Sequence, residues 1–208
     1  EVVRAIKEIR PQIFLIEMVD GFLRDRHAAL RDSVIASLAG LGSEVETTPV
    51  NAKYEGLAQD RKRCLITGHR MEGKIDPPEP CKVTTLRKAL AGLGEPNGVN
   101  RHEEAGLARE YPKHGPSHMD GQAHTVRAGG EHGPGGGSNT LRTDDGKLRY
   151  FSIRELARIQ GFPDQYCFDP VWTHAVKEIG NACPPPIALR WIKQLQQKAP
   201  QHLVPVQA

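Results

Sequence analysis

No stretch of this 208-residue chain approaches the ~18 consecutive apolar residues of a membrane-crossing helix, and no charged-then-apolar leader opens it. Nothing in the sequence reads as a membrane span. Cysteine is scarce: Cys64, Cys81, Cys167 and Cys183 are the only four, and none forms a C-x-x-C pair. The common zinc and dithiol patterns are therefore absent, which fits a reducing, cytosolic setting. No metal site is read from the nine histidines. Charge of one sign is also missing. The net charge of +3 and pI of about 8.7 are compatible with a nucleic-acid partner but do not point to one. There is no opening Met, and Val2, Val3 and Ile6 already form one face of a helix, so a preceding segment is expected.

Glycine and proline are plentiful, at 21 and 16, hydrophobic residues make up 38%, and mean hydropathy is -0.50. Such a chain has room for one sizeable core and a smaller lobe, linked by long irregular connections. The first helix should end at Arg10-Pro11, because a residue before proline avoids the helical region. "QIFLIE" follows, and the run Ile13 to Ile16 reads as a short buried parallel strand with Glu17 at its end. Leu23, Leu30, Val34, Leu38 and Leu41 predict a helix closed by Gly40 or Gly42. "EVETTPV" has strand composition but carries Pro49, which suits an edge strand. "RCLITG", residues 63–68, reads as another buried strand. This β-α-β-β order belongs to an open α/β sheet.

Beyond Arg70 the sequence turns rich in Gly, Pro, His and charge. "RAGGEHGPGGGSN", residues 127–139, cannot build a core and reads as a loop. Order returns at "FSIRELARIQGFPDQY", where Ser152 and Glu155 predict a capping box and Gly161 a helix end. Ile153, Leu156, Ala157 and Gln160 lie on one side of that helix. A last helix from about Ile187 to Gln197 should start on Pro185 or Pro186 and bury Ile187, Trp191, Ile192 and Leu195.

Several polar residues stand where chemistry could occur. A carboxylate such as Glu17 at the end of a buried strand is where open sheets deliver side chains to ligands, though a solvated Glu at a strand junction reads the same way. Gln59, Arg61 and Arg63 alternate into a strand, so their side chains should converge on one side and could clamp an anion or a base edge; a charged strand entrance is the plainer alternative. Cys183 lies in "IGNACPPP" with no His or Arg nearby to lower its pKa, and reads as a packed thiol, as does Cys64.

Taken in order, these segments resemble the C-terminal part of the DNA (cytosine-5) methyltransferase family. "RPQIFLIEMVDGF" resembles the family strand ending in Glu-Asn-Val, and "YEGLAQDRKRCLITGHR" its Gly-x-x-Gln-x-Arg-x-Arg segment. "FSIRELARIQGFPDQY" resembles the segment that supports the recognition lobe, and "IGNACPPP" the closing Gly-Asn motif. Residues 71–150 occupy the place of the variable target-recognition region. The resemblance implies an α/β fold: part of a Rossmann-like methyltransferase sheet with a smaller, loop-rich target-recognition lobe. Its divisions would be 1–70 (catalytic domain), 71–150 (recognition region), 151–198 (lobe support and return helix) and 199–208 (tail).

Two departures stand out. Met18 replaces the family Asn that braces the catalytic loop. The Gly-rich cofactor motif and the Pro-Cys nucleophile loop do not occur in family order, since Pro80-Cys81 lies in the variable region and reads as a coincidence. The expectation is that both lie upstream, on the same natural chain or a partner chain, and that the isolated chain is inactive.

The implied activity is methyl transfer from S-adenosylmethionine to carbon 5 of cytosine in double-stranded DNA, with the base flipped out of the stack. Glu17 would hold the flipped ring near N3, Arg63 its oxygen side, and Arg61 would support Glu17 or a phosphate. Asn181 and Ala182 would line the methionine end of the cofactor, with Gly180 giving a tight bend. Gln59, Thr125 and Arg127 would serve DNA binding. A cytoplasmic, nucleoid-associated place and a role in restriction-modification follow. A non-catalytic DNA-binding relative, or a subunit of a split methyltransferase, is the alternative, and Met18 is the feature that hints at it.

Overall fold

The computed structural model describes residues 1–110, 115–128 and 139–198. In chain order the helices and strands are α1 (Val2–Ile9), β1 (Ile13–Val19), α2 (Ala28–Ala39), β2 (Glu44–Asn51), β3 (Gln59–Asp60), β4 (Lys62–His69), α3 (Leu86–Ala89), β5 (Ser117–His118), β6 (Ala123–His124), β7 (Thr140–Arg142), β8 (Leu148–Tyr150), α4 (Ile153–Gln160), α5 (Trp172–Asn181) and α6 (Pro185–Lys198). Among the described residues no helix is long and apolar enough to cross a membrane. The chain divides into two compact units. The first holds Glu1–Val50, Lys62–Glu79 and the chain from Ala188; the second holds Asn51–Arg61 and Pro80–Ile187. The division differs from the boundaries expected at 70 and 150: residues 51–61 and 151–187 fall in one unit with residues 80–150.

The first unit is built on a three-stranded sheet in the order β1-β4-β2. β1 and β4 run antiparallel, in register from Ile13↔His69 to Val19↔Arg63. Of the apolar run Ile13 to Ile16 only Phe14 is buried, the rest being half-buried, and the expected parallel pairing is corrected here to antiparallel. Strand alternation sorts the pair into two faces. Phe14, Ile16, Met18, Cys64 and Ile66 face one side and share a core with Ile6, Phe22 and Leu38. Gly68 is required on that side, because the Phe14 ring lies 1.9 Å from where a Cβ would stand. Burial pushes the Cys64 thiol above its ordinary pKa, with Arg31 opposing weakly, as suits a packed cysteine.

Local details follow the sequence with three exceptions. Arg10 does end α1, but in the left-handed conformation (φ 50°, ψ 51°) rather than an extended one. Two 3-10 turns, Asp20–Leu23 and Asp25–His27, take up the residues expected to begin α2. Glu17 lies inside β1, two residues before its end. Pro49 sits in β2, an edge strand of this sheet as expected.

The second unit packs α4 and α5 on a core that includes Ala58, Leu86, Leu90, Ala123, Val126, Leu141, Phe151 and Phe168. Residues 80–150 thus contribute scattered apolar residues to one core with the helices that follow them. Its strands are short: β3 pairs parallel with β6, and β7 lies between β5 and β8. α4 starts with the expected capping box, Ser152 Oγ accepting from Glu155 N and Glu155 from Ser152 N. Gly161 ends it at φ 86°, where a Cβ would lie 2.5 Å from Pro186. α6 starts at Pro185, and Ile187, Trp191 and Leu195 are buried, whereas Ile192, expected in the same stripe, is 43% exposed. The glycine run expected to form a loop lies largely outside the described residues, which resume at Asn139.

Candidate functional site

Glu17 and Arg63 come together in the first unit. Paired residues of an antiparallel ladder share a face, and Glu17↔Leu65 with Val19↔Arg63 makes Glu17 and Arg63 diagonal neighbours. Their charged atoms, Glu17 Oε1 and Arg63 Nε, stand 2.6 Å apart, with side chains only 24% and 12% exposed. The N–H does not point along that line, and neither atom completes a hydrogen bond within the described residues. The contact is an ion pair that leaves hydrogen-bonding capacity on both partners. Arg63 Nη1 also donates to Lys62 O at 2.7 Å. Met18 belongs to the opposite face of β1 and packs against the apolar core. That is a reason for an apolar residue there which the family pattern alone does not supply.

The alternation of Gln59, Arg61 and Arg63 does not run through one continuous strand. β3 ends at Asp60, before β4 begins at Lys62. Gln59 is fully buried; its Oε1 accepts from Val126 N at 3.0 Å and its Nε2 donates to Gln160 Oε1 at 2.8 Å. A side chain so enclosed positions other groups, and the expected role of Gln59 as a DNA contact is corrected. Arg61 is 1% exposed. It donates to Val126 O at 3.0 Å, Gly180 O at 2.9 Å and Ala182 O at 3.3 Å. Its guanidinium is engaged on backbone carbonyls of its own unit, as a positioning group would be.

The turn expected at Gly180 is a helix end. Gly180 and Asn181 are the last residues of α5, and Ala182 leaves it in extended conformation (φ -64°, ψ 142°). Gly180 is needed for a close approach: a Cβ there would lie 2.4 Å from Ala128 N. Asn181 is exposed, while Ala182 and Cys183 are half-buried. Gln160 was read only as part of a helix face. It is fully buried and donates to Ile179 O at 3.0 Å and Ala182 O at 2.9 Å. Its place at the last position of α4 is legible in the sequence, but its partners are not.

Thr125 and Arg127 flank the buried Val126. Thr125 Oγ1 donates to Asp60 O at 3.0 Å. The backbone of Arg127 is held on both sides by Asn139, its N–H donating to Oδ1 at 3.2 Å and its carbonyl accepting from Nδ2 at 3.1 Å, while the residue itself is exposed.

Comparison with known proteins identifies the family. The family model of the C-5 cytosine-specific DNA methylases matches residues 1–114 and 98–197. Type II methyltransferase M.MthTI of Methanothermobacter thermautotrophicus is 30% identical over 92% of the chain and 68% of its own length. Type II methyltransferase M.NgoPII of Neisseria gonorrhoeae is 31% identical over 88% of the chain and 64% of its own length. The chain therefore spans about two thirds of these relatives. Among solved structures, the Schizosaccharomyces pombe Dnmt2 methyltransferase superposes with a TM-score of 0.66 at 15% identity, covering 94% of this chain and 71% of that one. The Entamoeba histolytica methyltransferase EhMeth gives 0.68 at 14% identity, with 90% and 63% covered. At these identities the structures establish the fold, the α/β fold of methyltransferases.

Proposed function

Because the chain belongs to the C-5 cytosine-specific DNA methylase family, we propose that it forms the cytosine-holding and DNA-facing part of an enzyme that methylates carbon 5 of cytosine in double-stranded DNA, in a restriction-modification setting. The observation that carries this reading is the Glu17–Arg63 pair, 2.6 Å apart on the sheet face opposite the apolar core.

A flipped cytosine presents N3 and an exocyclic amino group on one edge and a carbonyl oxygen beside them. Glu17 suits the first two, since a carboxyl group can share a proton at N3 and accept from the amino group. Arg63 suits the oxygen and offsets negative charge developing on the ring. The ion pair keeps both groups facing one another before the base arrives. Thr125 and Arg127 would stand against the DNA, Thr125 tied to the Asp60 carbonyl and the Arg127 side chain directed to a phosphate.

Bound S-adenosylmethionine would supply the methyl group. The residues at the end of α5 fit the polar end of that cofactor: Asn181 exposes an amide with both donors and an acceptor, and Ala182 is small. The carbonyl of Ala182 is held by Gln160 and Arg61, so its peptide is fixed before ligand arrives.

The test is tritiated methyl transfer to mixed-sequence DNA. The chain is to be joined to, or mixed with, a segment of a relative such as M.MthTI that carries a Gly-rich cofactor loop and a Pro-Cys dipeptide. Transfer to cytosine carbon 5 is expected. A folded assembly that binds DNA and S-adenosylmethionine yet transfers no methyl group would overturn the reading in favour of a non-catalytic DNA-binding relative.

A further inference from the structure

We propose that Gln160 is a positioning residue at the centre of a buried amide relay that fixes the cofactor-side turn at Ala182 and the DNA-side strand at Val126 together, so that binding on one side is coupled to binding on the other. The identity of the two ligands rests on the function proposed above; the relay itself rests on geometry within the second unit.

The relay has one possible orientation. The Val126 N–H can only donate, so Gln59 must turn its oxygen toward it, at 3.0 Å. Gln59 Nε2 then faces Gln160, whose oxygen accepts at 2.8 Å. Gln160 Nε2 is left facing two carbonyls, Ile179 O at 3.0 Å and Ala182 O at 2.9 Å. The assignment of both amides follows from the network, with no freedom for either to flip alone. Each amide in such a chain polarises the next.

Arg61 closes the circuit. One guanidinium nitrogen donates to Val126 O at 3.0 Å and the other to Gly180 O at 2.9 Å and Ala182 O at 3.3 Å. Val126 is thus held through its N–H by the relay and through its carbonyl by Arg61. The C-terminal carbonyls of α5, which no intrahelical donor can satisfy, are capped by the same two side chains. A positive group at a helix C-terminus is also favourable toward the helix dipole. Gln59 and Gln160 are both fully buried, so no water is needed to complete the path. Gly180 brings the two held segments within contact distance, because a Cβ there would overlap Ala128 N.

Two substitutions separate the halves of the relay. In Gln160→Glu, one carboxylate oxygen can still accept from Gln59, but the other must face the carbonyls of Ile179 and Ala182. The Ala182 side is lost first. Gln160→Met removes both amide groups without adding a charge, and keeps the assembly testable if the first variant does not fold. Hydrogen exchange of the 208-residue chain alone, with no ligand, reads the relay directly. In Gln160→Met, exchange in residues 123–128 and 179–183 should rise together by about ten-fold, the usual scale for a buried hydrogen-bonding group left without its partner. A rise in one segment alone, or in neither, would overturn the relay.

The second arm measures S-adenosylmethionine affinity in the assembly with and without a fixed DNA duplex. Whatever ratio the unsubstituted protein gives, Gln160→Met should bring it toward one, with the KM for S-adenosylmethionine rising more than kcat falls. A merely structural role would weaken binding equally in the two conditions, and that result would overturn the coupling. If the unsubstituted assembly binds no S-adenosylmethionine, the methyltransferase reading fails, while the exchange arm still decides the relay.

Discussion

Buried polar side chains are shared unequally by the two units. Among the described residues, Ser43, Thr67 and His69 are the three in the unit built on β1, β4 and β2, whereas the other unit buries twelve, Gln59, Arg61, Asn139, Arg149, Arg154 and Gln160 among them. The reason lies in element length. Seven residues of β1 pair with β4, and the ladder satisfies the backbone groups that face β4. In the second unit the strands are two or three residues long and the connections wide. Their carbonyls need donors from elsewhere, since an unpaired buried carbonyl costs as much as a lost hydrogen bond. Arginine and glutamine side chains supply them. A stretch poor in apolar runs can therefore be well determined, provided its long polar side chains point inward.

The largest expected effect comes from breaking that arrangement where it is densest. Arg154 is 1% exposed and donates to Asn100 O at 2.9 Å, Asn100 Oδ1 at 2.6 Å, Tyr166 O at 3.0 Å and Pro163 O at 3.3 Å. It holds a strained segment, because Asn100 and Arg101 both take positive φ, 52° and 64°. Arg154→Met keeps most of the packing but strands these acceptors. A loss of about 3 kcal/mol is expected in urea unfolding, from several buried groups left unpaired at once. A loss under about 1 kcal/mol would show that the second unit does not depend on its inward arginines.

Glu17→Gln sharpens the comparison from the other side. The Glu17 Oε1–Arg63 Nε contact completes no hydrogen bond, so stability should change by less than about 1 kcal/mol when the charge is removed. Methyl transfer in the assembled enzyme should fall by roughly 10²-fold, the scale of a positioned acid–base group. DNA affinity at fixed salt should stay level, because it rests on phosphate contacts elsewhere. Single-turnover rates and binding isotherms separate these outcomes. Equal rates for the two proteins would remove Glu17 from the chemistry.

The same contrast explains what was legible in the sequence. Apolar runs, a Ser-x-x-Glu pair, a helix-ending glycine and prolines at a helix start each act through neighbours in the chain. β1, β4, the α4 cap and the start of α6 were readable for that reason. Pairing direction was not, since burial of a strand says nothing of its neighbour's polarity. Gln59, Arg61 and Arg63 look like one alternating triplet, yet a single residue between β3 and β4 sends the first two into one unit and the third into the other. Gln160 carries no local signal of its partners, which lie up to 101 positions away. At the closing Gly-Asn pair, Gly180 permits a close approach and does not make the bend expected.

Arg127 offers a smaller test. Its backbone is fixed by Asn139 and its side chain is exposed, so the inward use of arginine in this unit stops there. Arg127→Ala should leave stability and the single-turnover rate at saturating DNA unchanged. It should weaken duplex binding a few-fold and lower the salt slope by about 1, as expected for one phosphate contact. An unchanged salt slope would mean that this arginine touches no phosphate.

The smallest effect belongs to the surface of the second unit, where pairing takes place in solvent. Arg87 donates to both oxygens of Asp120, at 2.7 and 3.1 Å, and to both of Asp144, at 2.7 and 2.9 Å. These hydrogen bonds hold both carboxyls below the usual carboxylate range. A carboxyl with a lowered folded pKa contributes stability that is complete above its unfolded value near 3.9 and is lost as pH falls through the folded one. Arg87→Met should therefore lower stability at neutral pH and converge with the unsubstituted protein in acid, below the pKa values of the paired carboxyls. The difference should be slight, since exposed pairs are screened and cost side-chain freedom. Urea midpoints taken from about pH 7 down to about pH 2.5 would follow it, the window running from above the unfolded carboxyl value to well below it. A gap that persisted or widened in acid would assign the contribution of Arg87 to packing of its side chain, and the contrast between an outer ionic surface and an inner hydrogen-bonded one would have to be redrawn.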